Sequence, residues 1–165
     1  MDKRPGILES RKKIRFQDCD PFNHLNNGRY LDYFINARED QLLEYYDIDI
    51  FRIVREQGLG WVVSSSQVAY LKPVFTMEEV VIETQLVRYS DKHLLVEARM
   101  WDSDKKVLKS VAWLNFVHFN IRTNKVERHS GEFLELFREV VIPVKSTTFE
   151  ERHRSFRPQK TASTD

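Results

Sequence analysis

Apolar and polar positions repeat with two different periods along this chain, and the change of period divides it. Ile14 and Phe16 begin a short alternating run that stops at the polar segment 18–27, where Pro21 and two adjacent asparagines break regular structure. A strand followed by a structured loop is expected there. Over 28–46, Leu31, Phe34, Ile35, Leu42, Tyr45 and Tyr46 recur at helical spacing, and Asp32, Glu39, Asp40 and Glu44 fill the other turns. That pattern predicts one long amphipathic helix. A shorter helix over 50–57 should stop at Gly58 and Gly60. From Trp61 to Ile121 the period is two, as in Val107, Val111, Trp113, Val117 and Phe119 against Lys109 and Asn115. Four antiparallel strands fit, with breaks near 73–79, 90–92 and 102–106. A last helix is expected over 131–140. The layout is therefore a single domain over 1–140 and a polar tail over 141–165, rich in Ser, Thr, Arg and Lys and expected to be mobile.

One sheet against one long helix buries one sheet face only. Alternate residues of such apolar strands would place Trp, Val and Phe on the other face or along an edge. A second copy is the economical cover, so a homo-oligomer is expected.

Composition narrows the classes. Hydrophobic residues make up 41% and charged residues 31% of the 165, a balance of folded globular proteins. The formal charge of +1 gives no global field toward nucleic acid. Cys19 is the only cysteine, which removes internal disulfides and cysteine-based zinc clusters and suggests a reducing, cytoplasmic setting. The leader MDKRPGILESRKK has no apolar core of signal-peptide length, and no run approaches the ~20 apolar residues of a membrane span.

The chemistry concentrates in FQDCDPFNHLNNGRYLDYFINARED, residues 16–40, where Asp18, Asp20, His24, Asn26 and Asn27 crowd the entry to the long helix. A helix N-terminus presents unpaired backbone N–H groups and partial positive charge, which stabilise a developing oxyanion. A carboxylate just upstream could attack a carbonyl held there, or activate water against it. The same residue types are also favoured caps, whatever the function. Arg38 falls on the apolar stripe between Ile35 and Leu42, a place for snorkelling or for pairing with a buried carboxylate. Gln67, among Ser64, Ser65 and Ser66, makes a polar strand centre suited to a pocket or a subunit seam. His118 shares a strand face with Phe116 and Asn120, which favours packing.

The run Asp18-Cys19-Asp20-Pro21, then His24, Asn26, Asn27, Tyr30, Tyr33, Ala37 and Arg38, resembles the 4-hydroxybenzoyl-CoA thioesterase-like family of hotdog-fold acyl-CoA thioesterases. Tyr70-Leu71-Lys72-Pro73 is similar to that family's exit from the strand after the helix, and the similarity covers roughly 10–138. The resemblance implies an α+β hotdog fold, a curved antiparallel sheet of about five strands wrapped around one long central helix. It also implies a dimer, or a dimer of dimers, with active sites at the subunit junction and an acyl-CoA substrate. Asp20 takes the position of nucleophile or general base, Asp18 is expected to fix the loop, and the main chain of Asn27 faces the thioester oxygen. His24 matches a position that places substrate, assists the leaving thiolate or orients the loop. Asn26 and Gly28 border the substrate, Gly28 permitting close approach at the helix start. Lys72, Arg88 and Lys92, near strand ends, are candidates for the CoA phosphates, although lysines are commonly just solvated. No metal or cofactor is needed, because a thiolate leaves readily.

Two other classes stay open. A hotdog hydratase or dehydratase acting on enoyl or hydroxyacyl thioesters uses an Asp and His arrangement inside the long helix, and 28–46 has no histidine. A non-catalytic acyl-CoA binder would share the fold without turnover. A transcriptional regulator would need a DNA-reading unit, for which the leader is too short and the tail lacks apolar spacing.

Overall fold

Strands that are apolar at nearly every position belong where both faces of a sheet are covered, and strands interrupted by polar runs belong at its edges. The computed structural model, which describes residues 2–158, is built this way. Its elements are β1 (Ile7–Lys13), α1 (Tyr30–Tyr46), α2 (Ile50–Gln57), β2 (Leu59–Tyr70), β3 (Glu79–Tyr89), β4 (His93–Asp102), β5 (Leu108–Asn120), β6 (Lys125–Val126), α3 (Gly131–Val140) and α4 (Phe149–Ser155). One antiparallel sheet runs β1-β3-β4-β5-β2, with the short β6 paired to β5. β3 and β4 lie inside it and are buried without a break over 80–87 and 95–100. β1 and β2, with Ser10-Arg11-Lys12 and Ser64-Ser65-Ser66-Gln67, form the edges. Register shifts between Val63 and Ser65, Leu86 and Arg88, and Met100 and Trp101 mark bulges that add curvature.

The sheet curls around α1, the arrangement the sequence predicts. Phe34 and Ala37 are sealed against Ile82, Ala98, Met100 and Ala112, with Ile14, Leu25 and Val74 closing the end near the helix start. α1 is turned relative to the predicted stripe. Its buried residues are Tyr30, Phe34, Ala37, Gln41 and Tyr46, whereas Tyr45 is exposed. Gln41 tolerates full burial because its amide donates to Ser10 Oγ and Ile82 O, each at 3.0 Å, and accepts from Thr84 Oγ1. α2 follows at once, with Asp49 Oδ1 accepting from Arg52 N at 2.9 Å, and it ends at Gly58 with φ of 70°. An added Cβ there would meet the Arg122 side chain at 2.7 Å, so both conformation and space call for glycine.

Two expectations are corrected. The first strand is Ile7–Lys13, inside the charged leader; Ile14 plugs the core after it and Phe16 sits exposed on a 3-10 turn. Only Leu8 of β1 is fully buried, so an edge strand with outward charges hid the period. The tail beyond Pro143 is also not loose over the described residues, since α4 packs Phe149 on Val87, Leu95, Val111 and Trp113. Residues 159–165, part of the same expectation, lie outside the described residues. That strap and an ion network cover this part of the sheet's outer face. Glu97, wholly buried, accepts from Arg152 Nε at 2.7 Å and Nη2 at 2.8 Å, from Arg99 and from the Trp113 indole at 2.9 Å. Glu83 accepts from Arg99 and Trp101 and pairs with Lys105. No helix among the described residues is long and apolar enough to cross a membrane.

Burial alone would raise the Glu97 carboxyl, but the hydrogen bonds from Arg152 and Trp113 and the charges of Arg152 and Arg99 bring it below the ordinary glutamate value of 4.5. The stability it contributes is therefore present above that value and is lost as pH falls through the lower folded value. Denaturant unfolding from neutral to acid pH should show a falling free energy whose slope is reduced in Glu97→Gln. Glu97→Ala, which leaves Arg99 and Arg152 facing each other, should cost about 3–5 kcal/mol at neutral pH.

Candidate active site

The segment between β1 and α1 is held by backbone bonds to the chain that leads into β3. Ile14 N donates to Glu78 O at 2.9 Å, Leu25 N to Val74 O at 2.8 Å, and Thr76 N to Asn23 O at 3.0 Å. Asp18 is its pivot. Its carboxylate accepts from the Tyr33 hydroxyl at 2.7 Å, its carbonyl accepts from Asn26 N at 2.9 Å, and the Tyr33 oxygen accepts from Arg15 N at 3.0 Å. Burial raises the Tyr33 hydroxyl to about 12, opposed by the Arg15 N–H and reinforced by Asp18, so Tyr33 stays a neutral donor. Asp18 thus fixes the loop.

Asp20 sits at the turn that Pro21 starts. Its Oδ1 accepts from Phe22 N at 2.9 Å and His24 N at 3.1 Å, while its own N–H donates to His24 O at 2.8 Å. Among the described residues Oδ2 has no hydrogen-bond partner, and the residue is half-buried. One oxygen is anchored and the other is free. A 3-10 turn at 27–29 then leads into α1. Asn26 Oδ1 caps it by accepting from Gly28 N at 2.9 Å, and the Tyr70 hydroxyl donates to Asn27 O at 2.9 Å. The Asn27 N–H meets no acceptor among the described residues.

Asp20, His24, Asn27, Tyr30, Tyr70 and Lys72 line one open cleft of about 240 Å3. Asn26 therefore acts first as a cap. Gly28 is not demanded by the backbone, since an added Cβ would stand at an ordinary 3.4 Å from Asn26 Oδ1. The His24 ring packs edge-on to Phe75, centroids 5.0 Å apart, with no hydrogen bond to its nitrogens among the described residues. Burial, then the neighbouring Tyr70, push the Tyr30 hydroxyl up to about 12.

Arg88 and Lys92 are not brought to this cleft. Arg88 lies past the bulge at the far end of β3 and borders a hollow with Trp113 and Val144, and Lys92 stands in the β3–β4 turn. From Glu79, beside the loop, to Arg88 the strand runs about 30 Å. Sequence marks a strand end without saying which end of the sheet it occupies.

A second cavity, of about 290 Å3, was not foreseen. Its wall joins α1 (Ile35, Leu42), α2 (Phe51), β2 (Val62), β5 (Phe116) and α3 (Phe133). The apolar side of α2, with Phe51 and Val54, was the available signal. Arg38 and Glu39 are its charged lining. Burial pulls the Arg38 guanidinium down to about 10, and burial, then Asp40, raise the Glu39 carboxyl. Arg38 meets Thr84 Oγ1 at 2.9 Å and no carboxylate among the described residues, unlike the buried pairing the sequence allowed. Close by, the Trp61 indole donates to His129 Nε2 at 3.0 Å, His129 Nδ1 faces Ser90 O, and His118 stacks on His129 at 4.8 Å. That bonding fixes neutral His129, whose pKa is lowered by burial and then by His118. His118 is packing, as its strand face suggests. Among the described residues no cluster of three His, Cys, Asp or Glu could hold a metal ion.

A model of the thioesterase-like superfamily matches residues 14–151. The long-chain acyl-CoA thioesterase FadM of Escherichia coli (strain K12) is 24% identical over 134 residues, covering 81% of this chain and 99% of the relative. Among solved structures, a DHNA-CoA thioesterase from Staphylococcus aureus superposes with a TM-score of 0.74 at 19% identity, covering 81% of this chain and 90% of its own. A hypothetical Staphylococcus aureus protein in complex with CoA gives 0.77 at 13% identity, covering 93% and 94%. These likenesses establish the hotdog fold.

The Tyr33 hydroxyl joins Arg15 and Asp18 and so holds the loop to α1. Tyr33→Phe should lower the unfolding free energy by about 1–2 kcal/mol, read by urea titration with an unchanged denaturant slope.

Proposed function

The chain belongs to the thioesterase-like superfamily, and on that premise we propose that it hydrolyses acyl-CoA thioesters to the free acid and CoA, with Asp20 acting at the thioester carbonyl. One observation carries this reading: Asp20 and Asn27 line the same cleft, and among the described residues neither Asp20 Oδ2 nor the Asn27 N–H has a hydrogen-bond partner. A thioester between them would point its carbonyl oxygen at the Asn27 amide, at the positive end of α1, and its carbon at Asp20. Oδ2 then either attacks that carbon or takes a proton from the water that does. The tetrahedral oxyanion draws on the Asn27 N–H, and its collapse expels the CoA thiolate. After direct attack this leaves a mixed anhydride on Asp20 that water cleaves to the free acid and the Asp20 carboxylate; after water attack it gives the acid at once. In either route a proton from that water ends on the thiolate. The two amides on Oδ1 hold the carboxylate in line, as near-attack geometry requires. Tyr70, through Asn27 O, holds the donor opposite. The His24 ring, free of internal hydrogen bonds, lies where it can steer the leaving group.

Lys72 on the cleft wall suits a CoA phosphate. The apolar second cavity suits an aliphatic acyl group, in keeping with the long-chain substrate that FadM's name records. α1 runs from the cleft to that cavity. β2 is an edge strand with Val62, Val63 and Ser64–Gln67 exposed, and Val62 and Val63 also line the cavity. A second copy along β2 would cover this edge and wall a passage between the two spaces, which makes a homodimer the working unit of this reading.

Following free thiol across short, long and aromatic acyl-CoA thioesters tests the activity, and no turnover of any of them ends the proposal. Asp20→Asn should lower kcat by roughly 100-fold or more with the fold intact. Asn27→Ala, which keeps the amide, should leave kcat essentially unchanged, and Lys72→Ala should raise KM. Single turnover in heavy-oxygen water, with label in Asp20 only if it is the nucleophile, separates the two routes.

A further inference from the structure

A positive charge stands in the wall of the largely apolar cavity with no ion-pair partner among the described residues. Arg38 lies about 16 Å along α1 from Asn27, at the helical rise per residue. Its side chain is half-buried, and of the N–H donors of its planar guanidinium only Nη1 is engaged among the described residues, to Thr84 Oγ1 at 2.9 Å. No ion pair reaches it among the described residues. Glu39 lines the same cavity without meeting a cation, the Tyr46 hydroxyl donates to Pro5 O, and the Trp61 indole donates to His129. The other guanidinium nitrogens are not among the sealed, unpartnered side-chain atoms of the described residues, so they keep accessible surface, and Arg38 lines the cavity.

A desolvated cation is unfavourable unless an anion joins it. A plain alkyl chain would leave it alone, and a leucine or methionine in its place would serve such a chain better. CoA phosphates are poor candidates, because the cavity lining offers no second cation and includes the Glu39 carboxyl, while Lys72 stands at the cleft. We propose that the cavity receives acyl groups bearing a carboxylate at the end remote from the thioester, and that Arg38 selects them through a two-pronged guanidinium–carboxylate pair. This rests on the acyl-CoA reading for the position of the thioester, although the anion-receiving role of Arg38 does not. The substrates would be monothioesters of long-chain dicarboxylic acids, supplied by a reaction that oxidises the far end of a fatty chain. Their hydrolysis would release the diacid and CoA.

Titration calorimetry on the full-length protein tests this without turnover, using a free long-chain α,ω-dicarboxylic acid, the monocarboxylic acid of equal length, and CoA alone. The wild type should bind the diacid roughly tenfold to a hundredfold more tightly than the monoacid. Arg38→Met should erase that advantage, Arg38→Lys should keep part of it, and CoA binding should be the same in all three. Equal affinity of the wild type for both acids, survival of the preference in Arg38→Met, or loss of CoA binding in that variant overturns the proposal. The wild-type comparison decides alone should Arg38→Met not fold. Diacid binding with no thioester turnover would sink the hydrolase reading and leave this one standing. With turnover, the kcat/KM ratio of carboxyacyl-CoA to acyl-CoA should fall by the same factor in Arg38→Met.

Discussion

A curved antiparallel sheet has two faces to keep from water, and most of this molecule follows from how each is covered. The hollow face takes α1, and the match is close enough that a glutamine is accepted in the middle of the helix's buried side. The outer face is treated differently. Its central positions on β3 and β4 include Glu83, Gln85, Glu97 and Arg99, so a purely apolar cover would have stranded charges there. α4 supplies both kinds of contact at once, with Phe149 against the apolar part and Arg152 against Glu97. The polar core of this face is a constraint on its cover, since few segments could satisfy it.

The cleft depends on the same scaffold. Asp20 and Asn27 lie in irregular backbone, which is mobile unless tied, and here every tie comes from a regular element or from the loop itself. α1 sends Tyr33 back to Asp18, β2 sends Tyr70 to Asn27 O, and the chain before β3 takes Ile14, Leu25 and Asn23 into backbone bonds. The Asp20 side chain is then oriented by amides only two and four residues away. Groups on a loop gain the precision of a sheet in this manner, and among the described residues the Asn27 amide is left as an unpaired donor at the helix start.

Much of this is readable in the chain, because periodicity survives where one element sees one environment. α1, α2, α3 and the four long strands carry their patterns plainly. β1 does not, since Leu8 is its single sealed residue, Ile7 is exposed and its other side chains are charged or small. α4 is hidden for another reason: its receptor is assembled from β3, β4 and β5, far away in sequence. The cleft was legible at Asp20, His24, Asn27 and Lys72 because a local motif and a strand exit hold them. Arg88 and Lys92 stand near a strand end, as read, but away from this cleft, because strand ends look alike in one dimension. The second cavity left only the apolar side of α2 as a sign, its wall being shared among α1, α2, β2, β5 and α3.

The seat of Arg152 has a consequence for the order in which the molecule is made. Glu97, Arg99 and Trp113 adopt their mutual geometry only once β4 and β5 are aligned, so α4 has nothing to recognise until the sheet exists. A chain emerging from the ribosome completes its strands before this segment is released, and for that interval Glu97, held only by Arg99 and Trp113, stays uncovered. Docking of α4 is thus the closing event of assembly, a latch that engages only on a correctly registered sheet and reports, by engaging, that the register is right.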